Sequence, residues 1–240
     1  NNIIYLKFSN LNLKSMARAY FIVGLDIGTG TIKILGIKKE KKEEKPEILG
    51  ITQSPSSGIR KGIVINPEEA SRSVRQAMEG FYTLTGRKFD SVFVNLSGSH
   101  IFLTPSRGVV VVSRADQKIS HEDVERVLQA AQTFSLPSNK EILDVIAKQF
   151  IIDGEKGIKE PIGLHGVRLE AEIMVLGGFS PYIKNLTQAV LGSGLQISDI
   201  SISPLVASRG VLSQKQKELG VAVLDIGAGA TGLAVFEEGD

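Results

Sequence analysis

Two stretches decide how this sequence reads: VGLDIGTGTIKILGI, residues 23–37, and VAVLDIGAGATGLAVF, residues 221–236. Each is an apolar run closed by Asp-Ile-Gly, then a short Gly-rich turn, then a second apolar run, the pattern of a strand–turn–strand hairpin. An Asp at a strand end followed by Gly-x-Gly is suited to approach a phosphate. Glycines there admit φ > 0 and bring backbone N–H groups close to an anion without a side chain in the way. Thr29 or Thr31 adds a hydroxyl, and Lys33 adds a positive charge. Asp26 and Asp225 would repel phosphate directly, and their expected role is to hold Mg²⁺ through water. One Asp-Ile-Gly-x-Gly is more often only a tight turn. Two copies between strong strands, separated by helix-containing segments, point instead to a pair of hairpins that clamp a di- or triphosphate and its metal. A strand follows each turn, which excludes both the P-loop and the dinucleotide-binding fingerprint.

Composition sets the outer limits. The 240 residues are 42% apolar and 22% charged with a formal charge of +2, ordinary values for a globular chain with one large or two modest domains. The balanced charge argues against a dedicated nucleic-acid binder. With no cysteine, neither a disulfide framework nor a Cys-based metal site is available. His100, His121 and His165 are far apart in sequence and lack metal-ligand spacing, so structural roles are expected for each. No run approaches the roughly 18 apolar residues that span a bilayer. The opening NNIIYLKFSNLNLKS has no signal-peptide pattern. A cytoplasmic protein is expected, with Met16 as the authentic start and residues 1–15 as a tail or upstream read-through.

Along the chain, residues 20–28, 31–39 and 46–54 read as three antiparallel strands, with the charge run KKEKKEEKP as a solvated hairpin tip. Asn66-Pro67-Glu68-Glu69 is a helix start, and that helix is expected to run to Thr85 and end at Gly86. A fourth strand covers 89–96. Residues 101–113, 141–153 and 167–178 read as strands around a helix that opens at a Ser120/Asp123 capping box and runs to Phe134. A Gly/Pro-rich loop over 154–166 separates the last two strands. A helix over 181–191, a strand over 196–202 and one helix over 204–219 then lead into the second hairpin. That hairpin is expected to open a further domain, so the chain reads as an N-terminal fragment, with Val223, Leu224, Leu233, Val235 and Phe236 losing burial.

The two hairpins together resemble those of the actin/chaperone-ATPase/sugar-kinase superfamily. Within it, the phrases GLDIGTGTIK, SSGIRKGIVINPEEA, NLSGSHI, EDVERVLQAA, IKEPIGLHGVRLEAE and ELGVAVLDIGAGATGLAVF resemble the FtsA family of bacterial actin-like cell-division proteins. The resemblance runs from about Ala17 to the end. It implies an α/β fold with an α+β insert: an actin-like, ribonuclease-H-type domain (16–96 and 176–218), an inserted FtsA-type subdomain (97–175), and the start of a second actin-like domain (219–240). The nucleotide site it implies comprises Asp26, Gly28, Thr29, Gly30 and Lys33 in the first hairpin, and Asp225, Gly227, Gly229 and Thr231 in the second. The cofactors implied are ATP and Mg, the metal being held through water by Asp26 and Asp225.

In partners, the resemblance implies FtsZ and other division proteins, filament-forming self-association, and attachment to the inner face of the membrane at the division site through a C-terminal helix. No nucleic acid is expected. Two departures bear on activity. The second hairpin commonly reads Gly-Gly-Gly-Thr-Thr-Asp, and here Ala228, Ala230 and Gly232 stand in three of those places. Hydrolytic relatives often carry Glu or Gln before the proline of the linking helix, where this chain has Ser203. A lone serine is a poor general base, so the expectation is a nucleotide-binding adaptor and at most a slow ATPase. The alternatives are a pilus-assembly type actin-like ATPase and a sugar kinase. The latter lacks an evident catalytic carboxylate or sugar-binding set between the hairpins.

Overall fold

Alternation builds the central sheet. Val23, Leu25 and Ile27 of β1 (Ala19–Ile27) and Ile32 and Ile34 of β2 (Thr31–Glu40) are buried, and they recur at every second residue so that all project to one face. β1 pairs antiparallel with β2, and β2 with β3 (Glu47–Pro55), as expected for three strands joined by short turns. The computed structural model describes residues 19–40, 45–133 and 136–239. The expected tail and Met16 start, and the last residue of the helix expected to reach Phe134, lie outside them.

A two-residue ladder, β4 (Ile59–Arg60) with β5 (Ile63–Val64), precedes the first helix, α1 (Pro67–Thr85). The Asn66 side chain accepts from the Glu68 and Glu69 amides, and the helix stops where Gly86 turns left-handed at φ 67°. Ala70, Val74, Ala77 and Phe81 form its buried stripe. Phe81 lies directly over Gly36, where any Cβ would strike its ring.

β6 (Ser91–Leu96) adds parallel to β1, and β11 (Gln196–Ile202) adds parallel to β6, giving the order β11-β6-β1-β2-β3. Parallel neighbours need crossovers. One runs through α1, the other through an inserted segment and α3 (Ser180–Gly192).

That inserted segment, Ile101–Gly178, is a compact unit of its own, and the residues before and after it form the other unit. Its sheet has the order β7-β10-β8-β9, from β7 (Ile101–Val111), β8 (Lys140–Ile152), β9 (Glu155–Ile158) and β10 (Arg168–Phe179). α2 (His121–Gln132) packs on β7, with Val124, Val127, Leu128 and Ala131 joining Phe150, Leu169, Ile173 and Val175 in one core. Gly108 is the point of closest approach, where a Cβ would collide with the backbone of Val127 and Ala131. The expected capping box is present at Ser120 and Asp123. β9 falls inside the segment read as loop.

In the other unit, the helix expected over 204–219 is two helices, α4 (Ser203–Val211) and α5 (Gln214–Leu219). Leu212 is extended, and Ser213 caps a fresh start, exchanging hydrogen bonds with Gln216 in a second capping box. β12 (Val221–Ile226) and β13 (Thr231–Phe236) then make a separate two-stranded sheet packed on α4. Leu224, Ile226, Leu233 and Val235 are exposed, while Val223 and Phe236 keep partial burial and Ala234 is buried.

Candidate nucleotide-binding site

The two Asp-Ile-Gly hairpins have the same register. Asp26 stands opposite Lys33 and Ile27 opposite Ile32, and the Gly28 N–H donates to the Thr31 carbonyl at 3.1 Å. In the second, Asp225 stands opposite Gly232 and Ile226 opposite Thr231, and the Gly227 N–H donates to the Ala230 carbonyl at 2.9 Å. Each turn thus projects two residues at its tip, Thr29-Gly30 and Ala228-Gly229.

These tips meet. A Cβ on Gly229 would lie 2.6 Å from Thr29 Oγ1, and one on Gly30 would lie 3.1 Å from the Ala228 methyl. This corrects the expected reason for the glycines. None of Gly28, Gly30, Gly227 and Gly229 has a positive φ. Space is what they supply: a Cβ on Gly28 would lie 2.9 Å from the Thr31 carbonyl and one on Gly229 2.6 Å from Thr29 Oγ1. Gly30 and Gly227 are tightly packed, with a Cβ on each 3.1 Å from the Ala228 methyl and the Ala230 carbonyl respectively.

A third segment closes over the same place. In the turn between β4 and β5, Lys61 and Gly62 are both left-handed, at φ 50° and 76°. The Gly62 N–H donates to Thr29 Oγ1 at 2.8 Å. The Thr29 hydroxyl accepts that bond and keeps its own hydrogen for another acceptor. A Cβ on Gly62 would fall 2.7 Å from Ser97 Oγ and 3.3 Å from the Ala230 methyl.

The charges are asymmetric. Lys33 Nζ lies 2.8 Å from Asp26 Oδ2, both side chains about half exposed (50% and 43%). Asp225 faces Gly232 and has no cation across the ladder. Asp26 Oδ1 accepts from Asn95 Nδ2 at 2.6 Å, and Asn95 Nδ2 also donates to Ser203 Oγ at 2.9 Å. Beside Asn95 is a small pocket lined by Gly62, Ser97, His100 and Tyr182 among others. His100 packs edge-on against Tyr182, and burial lowers its pKa. The structural role expected of this histidine agrees with that packing.

Among the described residues no three His, Cys, Asp or Glu side chains cluster as a metal site. A metal here would be held through water and through a ligand's own oxygens, the usual habit of Mg²⁺ with phosphates. A carboxylate at each hairpin, a hydroxyl and a lysine therefore fit a magnesium polyphosphate chemically, with the Gly28 and Gly227 amides bonded within their own turns.

Residues 98–176 match the family described as "SHS2 domain inserted in FTSA". Across the chain, the cell division protein FtsA of Pseudomonas aeruginosa is 36% identical over 227 residues, covering 95% of this chain and 54% of that protein. That of Bacillus subtilis is 39% identical over 217 residues, covering 90% and 49%. The chain belongs to the FtsA family. It spans about half the length of the curated relatives it matches. A solved PilM–PilN type IV pilus biogenesis complex shares the fold, with a TM-score of 0.61 at 17% identity over 89% of this chain and 57% of that one. The mixed α/β architecture with an FtsA-type insert expected from the sequence is thus the one present.

Two of the places where this FtsA-family chain departs from the superfamily pattern have a physical reason in its packing. Gly232 lies under Pro204, with a Cβ there 3.0 Å from the proline ring, so an aspartate would press on the head of α4. Ser203 accepts from Asn95 and donates to the Leu96 carbonyl at 3.2 Å. Its hydroxyl is spent on structure. Asn95 and Gly62 were not among the residues the sequence marked. Asn95 is a lone amide in the strand phrase SVFVNL, and only the parallel pairing of β6 with β1 reveals its neighbour.

Proposed function

We propose that this FtsA-family chain carries the paired phosphate hairpins of an ATP-binding, actin-like adaptor. That adaptor assembles into filaments, tethers the FtsZ ring to the cytoplasmic membrane and recruits later division proteins. The observation that carries the reading is the meeting of Thr29-Gly30 with Ala228-Gly229, two like-register hairpins from opposite ends of the sequence.

In this reading Gly28, Thr29, Gly30 and Lys33 from the first hairpin, and Gly227, Gly229 and Thr231 from the second, hold the phosphates of ATP. Asp26 and Asp225 hold Mg²⁺ through its water shell. Bound magnesium supplies neutralisation of the phosphate charge. Thr29, with its oxygen already accepting from Gly62, offers its hydrogen to a phosphate oxygen. Because the Ser203 hydroxyl donates to Leu96, nothing in its place activates water, and ATP turnover is slow at most.

We assign 16–96 with 176–218 to the first actin-like domain, 97–175 to the inserted subdomain and 219–240 to the opening of the second. Self-association and division-protein contacts are expected through the insert, and membrane attachment through an amphipathic helix of the family's C-terminal kind. No helix among the described residues is long and apolar enough to cross a membrane. The match over 98–176 supports this reading over a pilus-assembly ATPase, and over a sugar kinase.

Vesicle flotation tests the reading. Full-length protein with ATP should carry FtsZ polymers upward with vesicles of anionic phospholipid. FtsZ remaining at the bottom, or phosphoryl transfer to a sugar, contradicts it.

A further inference from the structure

Asn95 occupies a position in which each polar atom of its amide is used. Its Oδ1 accepts the Ile27 backbone N–H at 2.6 Å, and its Nδ2 donates to Asp26 Oδ1 at 2.6 Å and to Ser203 Oγ at 2.9 Å. The orientation of the amide is unambiguous, because a backbone N–H needs an acceptor and a carboxylate needs a donor. Ser203 in turn donates to the Leu96 carbonyl at 3.2 Å. One side chain on β6 therefore ties the end of β1 to the first residue of α4 and fixes one oxygen of Asp26. Lys33, at 2.8 Å, holds the other.

No other residue of this size makes the same set of bonds. Aspartate could accept from Ile27 but would set a second carboxylate against Asp26. Leucine would leave the Ile27 N–H and the Asp26 oxygen without partners. In the second hairpin, Asp225 faces a glycine across its ladder.

We infer that Asn95 is a positioning residue of the nucleotide site, which orients Asp26 toward the water shell of magnesium and couples it to the head of α4 through Ser203. The inference rests on the reading of Asp26 as a magnesium–nucleotide residue. It adds a residue to the site and predicts that the contribution of Asn95 is felt through the metal and not through the phosphates.

The test uses full-length protein and two readouts. The first is hydrogen exchange at the Ile27 amide without nucleotide, which should quicken about tenfold or more in Asn95→Ala while Leu25 stays within about twofold. The second is the affinity for ATP with magnesium and with EDTA. Asn95→Ala should weaken Mg·ATP about five- to thirtyfold and change metal-free ATP by less than about twofold, and adding it to Asp26→Ala should cost nothing further. Asn95→Leu keeps the side-chain volume and should behave in the same way should the alanine variant fold poorly. Equal losses with and without magnesium, additivity with Asp26→Ala, or unchanged Ile27 exchange would each overturn the assignment. A wild-type protein whose ATP affinity ignores magnesium overturns the magnesium reading itself, and this control separates that failure from failure at Asn95.

Discussion

Gly229 approaches Thr29 so closely that a single added methyl at Gly229 would sit 2.6 Å from the threonine hydroxyl oxygen. The contact joins residues two hundred positions apart in sequence. It also sits beside the Gly62 N–H that donates to the same hydroxyl, so three segments converge on one oxygen.

Substituting Gly229 should therefore affect ligand binding more than folding. Gly229→Ala is expected to push the two tips apart and lower Mg·ATP affinity about tenfold or more, with a melting temperature within a few degrees of wild type, since the tip lies at the surface. Titration of the full-length variant with a fluorescent ATP analogue checks this. Wild-type affinity would mean the tips need not meet.

Gly232→Asp restores the residue common in the superfamily and should still be harmful. Its Cβ would fall 3.0 Å from the Pro204 ring, forcing α4 to shift at a cost of about 1–3 kcal/mol. Thermal denaturation should show a lower midpoint. An unchanged midpoint would mean α4 is free to move, which its packing on β12 and β13 argues against.

Asp123 gives the insert a dependence on pH. Burial raises its pKa, but bonds from the Ser120 hydroxyl and amide, from Arg126 and from the Ser113 amide outweigh that and hold it well below the carboxylate range. A carboxyl depressed on folding contributes stability above its unfolded pKa of about 3.9, and that stability is lost as pH falls. Asp123→Asn should cost about 1–3 kcal/mol at pH 7 and flatten the fall in stability between about pH 5 and pH 2. Equal slopes for the variant and wild type would contradict this.

The final hairpin should exchange faster than the first. Leu224, Ile226, Leu233 and Val235 are exposed on its outer face, whereas β1 and β2 lie inside a five-stranded sheet. In the 240-residue chain, hydrogen exchange should show weaker protection over 221–236 than over 23–37. Equal protection would show that packing on α4 alone suffices.

How much of this was legible in the sequence varies with the kind of signal. Local chemistry was readable: the Asn66 cap, the Ser120/Asp123 box and the alternation of Val23, Leu25 and Ile27 are written in adjacent residues. The break at Leu212 was also written, as Ser213-x-x-Gln216, but the apolar spacing of 204–219 masked it. Of the site, both hairpins were visible because they repeat a phrase. The role of their glycines was not, because close approach is a property of two segments and a left-handed turn is a property of one. Asn95 and Gly62 were hidden for the same reason, since each gains its meaning only from a partner about seventy or thirty residues away.

The most direct measurement is the Mg·ATP affinity of three full-length proteins: wild type, Asp26→Ala and Ser106→Ala. Asp26 stands near the end of β1, beside the first hairpin's turn, and pairs with Lys33, whereas Ser106 spends its hydroxyl on the Ala131 carbonyl at 2.6 Å inside the insert. Asp26→Ala should weaken binding about tenfold or more, and Ser106→Ala should stay within about twofold of wild type. Equal affinity for the two variants in the presence of magnesium would contradict the account.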